Sequence, residues 1–332
     1  MLYVTTRDKN DAHTAPRTLA ADRGPDGGLY LPFRMPKFHR EKLAALCAMS
    51  FGQCAAELLN LFFSCRLSAW DVDLCAGRYP VKAASVKRRV VIGEAWHNIE
   101  WNYRRMERVL TERIAAAYEM TPVPTSWVRI AIRIVTLFGL YGELLRSGAL
   151  EADTKFDIAV GCDDFSAPIA VWYAREMGLP VANLICACGD NGAVWDLVHL
   201  GEMRTDSNTP VELERLIFGT LGMEETKRYC GVCQSGGIYT LRGDELEKLR
   251  SGIFAAVVSK QRAEGLISGL ESTTGYVMGP DTALAYGALT DYKAKTGESR
   301  TAVILSEKSP ICDCELVAGA LNVSVEDLKK RL

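Results

Sequence analysis

Apolar positions along the chain change rhythm near its middle. Over residues 40–67 they recur at helical spacing (Leu43, Leu46, Cys47, Phe51, Cys54, Leu58, Leu59, Phe62), which predicts one or two amphipathic helices. Arg, Glu and apolar residues interleaved at the same spacing predict another helix over 101–118. Residues 120–125 carry two prolines and read as a linker, after which Ser126 is placed to cap a helix running to residue 145. From residue 156 the pattern shortens. A strand over 156–161, the polar turn Cys162-Asp163-Asp164, a helix to Met177 stopped by Gly178-Leu179-Pro180, and a strand over 181–187 make a βαβ unit. The polar turn 189–192 closes that unit, and a helix over 281–295 leads into a further strand at 301–305. This order predicts an α/β fold, a doubly wound parallel sheet. Ahead of it, a Gly-, Asp- and Thr-rich stretch contains the turn Asp26-Gly27-Gly28 and the strand-like Leu29-Tyr30-Leu31, which Pro32 stops.

Composition narrows the function classes. The chain has 332 residues, 48% hydrophobic and 24% charged, with a net charge of −2, so no global field directs it to nucleic acid or anionic lipid. The local basic groups Lys87-Arg88-Arg89 and Arg104-Arg105 read as solvated helix faces. The most apolar stretch, 43–63, is interrupted by Gln53, Glu57 and Asn60 and predicts no membrane span. Residues 1–7 do not read as a signal peptide. The 11 cysteines then read as reduced thiols of a cytoplasmic protein.

Three segments resemble threonine synthases, which are fold-type-II pyridoxal-phosphate (PLP) enzymes. They are Tyr3-Val4-Thr5-Thr6-Arg7 with Asp26 to Pro32, the run from Ser126-Trp127-Val128-Arg129 through Leu200 with Met177-Gly178-Leu179-Pro180, and Gly279-Pro280-Asp281-Thr282-Ala283-Leu284-Ala285-Tyr286. The resemblance implies a sheet like the large domain of those enzymes, with an amino-terminal subdomain. It also implies a deletion. The family's small domain carries a Schiff-base lysine in a Phe-Lys-Asp-Phe context and a Ser-Gly-Asp-Thr-Gly carboxylate loop, and neither motif occurs here. The expected organisation is therefore an amino-terminal subdomain over 1–85, a helical segment and linker over 86–125 in place of the small domain, and an α/β core over 126–332. No lysine lies between Lys87 and Lys155, and Glu100 aligns with the missing one. Only an amine forms the cofactor imine, so no cofactor is expected.

The resemblance locates the candidate site as well. The family's Ser-Gly-Asn-Phe-Gly phosphate loop corresponds to Cys162-Asp163-Asp164-Phe165-Ser166 after Gly161, and Glu307 takes the place near the pyridine nitrogen. Aspartates at a helix start suit capping and repel a phosphate. Gly161, Cys162, Asp163, Asp164, Phe165, Ser166 and Glu307 are thus the ligand-binding candidates, and no catalytic residue is assigned. Cys162, Cys186, Cys188 and Cys312 all follow or end strands and could converge as a thiol cluster for a soft metal, or be ordinary buried thiols. His13, His39, His97 and His199 show no ligand spacing, and Ser235-Gly236-Gly237 reads as a turn.

These residues point to a threonine-synthase-like protein without PLP catalysis, binding a metabolite or a protein partner, with a homo-oligomer allowed. Two alternatives are a PLP lyase completed by another chain and a different enzyme using the Cys/Asp edge. Trp96 or Trp101 is expected to cover the strand ends near Gly161 and Cys188.

Overall fold

The computed structural model describes residues 1–123, 126–162, 164–189 and 192–332, with the Ser126 side chain outside the description. Asp163, the last two linker residues, the capping role of Ser126 and the middle of the 189–192 turn therefore lie outside the described residues.

The amino-terminal part opens with β1 (Tyr3–Thr5), α1 (Ala15–Ala20) and β2 (Tyr30–Pro32), and the two strands pair antiparallel. Three helices follow: α2 (Arg40–Ala48), α3 (Phe51–Phe63) and α4 (Ala69–Ala76). The single apolar run in the sequence splits in two because Ser50 and Gln53 form a reciprocal capping box that starts α3. A second box, Ser68 with Asp71, starts α4. Tyr3 Oη donates to the Phe62 carbonyl at 2.7 Å, and Arg215 donates twice to the Tyr30 carbonyl at 3.1 and 2.7 Å. These bonds tie the small sheet to the body of the protein.

Next come β3 (Lys82–Lys87), β4 (Val90–Glu94), α5 (Tyr103–Ala116), α6 (Ser126–Arg146), β5 (Phe156–Gly161), α7 (Ser166–Met177) and β6 (Val181–Cys188). A peripheral layer holds α8 (Ala193–Leu200), β7 (Glu202–Arg204), α9 (Leu213–Leu221), α10 (Met223–Ser235), β8 (Ile238–Thr240) and α11 (Gly243–Arg250). The chain closes with β9 (Ile253–Val257), α12 (Lys260–Thr274), α13 (Pro280–Thr296), β10 (Ala302–Ser306), α14 (Cys314–Leu321) and α15 (Val325–Arg331).

Among the described residues the central sheet has six strands in the order β3-β4-β10-β5-β6-β9; β3 is antiparallel to β4 and the rest run parallel. Its interior strands β4, β10, β5 and β6 are apolar on both faces, as a doubly wound sheet requires. Val91, Ile158, Val160, Leu184, Val303 and Leu305 pack on the α6 and α7 side, while Ile92, Ala159, Ile185 and Ile304 pack on α13. Close helix approach is built into the sequence. A Cβ on Gly93 would stand 2.5 Å from Leu140 Cδ2, so a larger residue there would force the Leu140 side chain of α6 to shift.

Two expectations need correction. The basic trio Lys87-Arg88-Arg89 lies on no helix; it ends β3 and forms the turn of the β3–β4 hairpin, with Arg89 left-handed at φ 60°. The boundary expected between residues 85 and 86 thus falls inside that hairpin, and β4 is an interior strand of the main sheet. Among the described residues only α5 and α6 stand between β4 and β5. Ser235-Gly236-Gly237 is the end of α10, closed by left-handed Gly236.

Candidate functional site

Strand order reverses where β10 inserts between β4 and β5, and open α/β sheets bind their ligands at the carboxyl ends of the strands beside such a point. A crevice of about 170 Å³ opens there, lined by Gly161, Asp164, Asn102, Arg104, Arg133, Asp281, Glu307 and Lys308 among others. The candidate residues 161, 164 and 307 therefore meet in one place.

Asp164 caps α7. Its Oδ1 accepts the Ser166 N–H at 2.9 Å and also the Ser166 hydroxyl, and Phe165 takes the left-handed conformation (φ 61°) that brings this turn around. Phe165 itself is buried. The other carboxylate oxygen of Asp164 pairs with Arg129 Nη2 at 2.5 Å. Burial raises the Asp164 pKa, but the Ser166 hydrogen bonds and the charges of Arg133 and Arg129 outweigh it and bring it down to about 2.

A ladder of alternating charge continues from Arg129. Arg129 Nε meets Glu107 Oε1 at 3.2 Å, Glu107 Oε2 accepts from Arg133 Nη1 at 3.1 Å, and Arg133 grips Glu307 through Nε and Nη2 at 2.9 and 3.0 Å. Arg129 and Arg133 stand four residues apart on α6 and so share a face. The Arg133 guanidinium lies 4.7 Å from the Tyr103 ring centroid, and Tyr103 and Glu107 are likewise four apart on α5. Burial disfavours the Arg133 cation, yet Glu307, Tyr103 and Glu107 hold it protonated well above the ordinary arginine value. Burial pushes the Glu107 carboxyl up against the pull of Arg133 and Arg129.

Lys308 is the lysine on this crevice. Its Nζ pairs with Asp281 at 2.9 Å and Asp313 at 3.3 Å. Burial works against the ammonium, but the two aspartates raise its pKa above the usual lysine value. The helix α5 segment is clamped to the same loop, with Tyr103 N–H donating to the Glu307 carbonyl at 2.7 Å and Ser309 N–H to the Trp101 carbonyl at 2.9 Å.

The cover differs from the one expected. Trp96 is 8% exposed and donates from Nε1 to Ser306 Oγ at 3.1 Å, so it closes the ends of β4 and β10 rather than those near Gly161. It stacks on His97, whose Nε2 meets Glu94 Oε2 at 2.6 Å; Glu94 also accepts from Tyr276 Oη at 2.6 Å. Trp101, with a positive φ of 54°, is 48% exposed and covers little. Beside Gly161 the start of α5 places the polar Asn102, its N-cap, and Arg104 in place of an aromatic cover.

The four candidate thiols do not converge. Cys162 and Cys188 lie with sulfurs 3.0 Å apart, Cys186 is buried two residues earlier on β6, and Cys312 is exposed with its sulfur 3.4 Å from the Trp101 carbonyl. Among the described residues no three His, Cys, Asp or Glu side chains are grouped to hold a metal ion. Glu100, the residue aligned with the missing lysine, pairs at the surface with Arg105 and Arg108 at 3.2 and 3.1 Å. The sequence reading missed Glu107, Arg129, Arg133 and Lys308. Two arginines four apart inside the apolar run 127–145 were the available signal.

Comparisons with known proteins agree with this fold. Residues 2–77 match the family profile "Threonine synthase N terminus". The solved structure of PLP-bound threonine synthase from Brucella melitensis superposes with a TM-score of 0.81 at 19% identity, covering 97% of this chain and 92% of that one. The fold is that of threonine synthase. Threonine synthase from yeast gives the same TM-score, 0.81, at 15% identity over 99% of this chain and 93% of the other. In sequence, "Threonine synthase-like 1" from Homo sapiens is 24% identical over 176 residues, which is 48% of this chain and 24% of that relative. Threonine synthase from Methylobacillus glycogenes is 35% identical over 60 residues, 18% of this chain and 13% of that protein. The chain thus matches about a quarter of the length of the threonine-synthase-like 1 relatives. No described helix is long and apolar enough to cross a membrane.

Proposed function

We propose that this threonine-synthase-like chain does not carry PLP chemistry and works as a binding protein through the crevice at the β5 and β10 ends. The observation that carries the reading is the charge ladder from Asp164 through Arg129, Glu107 and Arg133 to Glu307. The cofactor's anionic phosphate would need the amides at the start of α7, and there the Asp164 carboxylate already takes the Ser166 N–H. Glu307, at the place of the pyridine partner, has both oxygens committed to Arg133. The residues present therefore do not fit PLP. The remaining crevice, rimmed by Arg104, Asp281 and Lys308, suits a small polar metabolite. Residence in the cytoplasm is part of the same proposal.

One observation favours a second reading. Lys308 lines the crevice, and an amine there is the one group that could form an imine with the cofactor. Its pairing with Asp281 and Asp313 holds it as an ammonium, which argues against attack. Purified protein assayed with phosphohomoserine and added PLP tests the proposal. No phosphate release and no threonine are expected; turnover lost in Lys308→Ala would establish the second reading instead.

A further inference from the structure

We propose that Cys162 and Cys188 form a reversible modification site, a buried dithiol that a peroxide converts to a disulfide across the ends of β5 and β6. Geometry carries the inference. Gly161 pairs with Ala187 on these parallel strands, which puts Cys162 and Cys188 on the next rung, and the Cys162 N–H donates to the Ala187 carbonyl at 3.1 Å. Neighbouring strands lie about 4.7–4.9 Å apart, within the roughly 4.4–6.8 Å that a disulfide spans between Cα atoms. The sulfurs are already 3.0 Å apart and need to close by only about 1 Å to reach a bond of about 2.05 Å. Both side chains sit in the apolar layer between the sheet and α6 and α7.

Among the described residues, no other two cysteines are neighbours in register on adjacent strands. Cys186 stands opposite Val160 rather than another cysteine, and burial pushes its thiol far above the ordinary value. Burial and Glu214 likewise raise Cys230, which stands three residues before Cys233 on α10, to about 12. Cys162 is the member of the pair nearer the crevice, since it follows Gly161, a lining residue, at the end of β5.

The chemistry balances with the peroxide as the named oxidant. The Cys162 thiolate attacks one peroxide oxygen; the O–O bond breaks, leaving a sulfenic acid and, after proton uptake, one water. The Cys188 sulfur then attacks that sulfenic sulfur, the S–O bond breaks, and a second water leaves with the thiol proton. Two thiols lose two electrons and the peroxide gains them. The resulting bond would tie β5 to β6 between Gly161 and Asp164, both of which line the crevice. The inference stands whether or not the crevice holds PLP.

The test is thiol counting on the full chain. Native protein is treated with hydrogen peroxide, then denatured and alkylated, and its intact mass and peptides are measured. Two fewer alkyl groups than the 11 of the reduced protein are expected, together with a cross-linked peptide joining Cys162 to Cys188 that dithiothreitol removes. Cys188→Ser should block the cross-link and leave a dimedone-reactive sulfenic acid on Cys162, whereas Cys186→Ser should still cross-link. Full alkylation of peroxide-treated wild type, or a cross-link mapping to Cys230–Cys233 alone, would overturn the proposal. Both readouts on wild type hold even if a variant fails to fold.

Discussion

Arg133 holds Glu307 across 174 residues of chain through two parallel hydrogen bonds, while its third contact goes to Glu107 on α5. The pair is bidentate, the arrangement for which a guanidinium is shaped. With its side chain 8% exposed, Arg133 is the cation on which two carboxylates depend.

Removing that cation leaves Glu107 and Glu307 without their shared partner. Arg133→Met should cost about 3–5 kcal/mol of unfolding free energy, read from urea titrations at pH 7. The triple change Arg133→Met, Glu107→Gln, Glu307→Gln should recover a substantial part. A loss below about 1 kcal/mol in the single variant would mean the ladder is ornamental.

The Asp164 carboxylate makes a pH-dependent contribution. Its pKa falls from the ordinary 3.8 to about 2 on folding, so the stabilisation is present above about pH 4 and disappears as pH drops through 2. Asp164→Asn keeps an oxygen for the Ser166 N–H but removes the charge. Because the carboxylate is half exposed, the gap between wild type and variant should be about 1 kcal/mol at pH 7. Thermal melts from pH 7 to pH 2 should show that gap shrinking to nothing; a constant gap would assign the effect to shape.

Trp96 and Trp101 should separate cleanly. Trp96→Ala opens a space under Ser306 and His97 and should cost about 3 kcal/mol, whereas half-exposed Trp101→Ala should cost less than about 1 kcal/mol. Equal losses in chemical denaturation would contradict the division of labour between them.

Glu214 is the amino-terminal counterpart of the ladder. It accepts from Thr6 and pairs with Arg7 and Arg23 at 3.3 and 3.1 Å, with its side chain 5% exposed. Burial raises its carboxyl, but Thr6, Arg23 and Arg7 bring it below the usual glutamate value. Glu214→Ala should cost about 3 kcal/mol and make the segment before α2 more susceptible to limited proteolysis. Unchanged cleavage would show that the small β1–β2 sheet is held by its packing alone.

Much of the core was legible because its strands are short apolar runs between turn residues, as at 156–161 and 181–187. The hairpin of β3 and β4 was not, since β3 carries Lys82, Ser85 and Lys87 on an edge that faces water and its turn is basic. β9, also an edge strand, follows a helix and a glycine with little to mark its start. The candidate loop 161–166 could be placed through the resemblance. Its partners could not, because Glu107, Arg129, Arg133 and Glu307 come from α5, α6 and the loop after β10 and meet only when the sheet brings its carboxyl ends together. A charged residue in an apolar helix states that a partner exists without naming it.

Borohydride trapping tests the central claim most directly. The protein is incubated with PLP, reduced with sodium borohydride and mapped by peptide mass spectrometry. The charge ladder and the ion-paired Lys308 predict no stoichiometric pyridoxyl-lysine and no absorbance band of a cofactor imine. A single reduced adduct at full occupancy on Lys308 would contradict the account, because it would show that the ladder leaves room for the cofactor and that Lys308 can give up its proton.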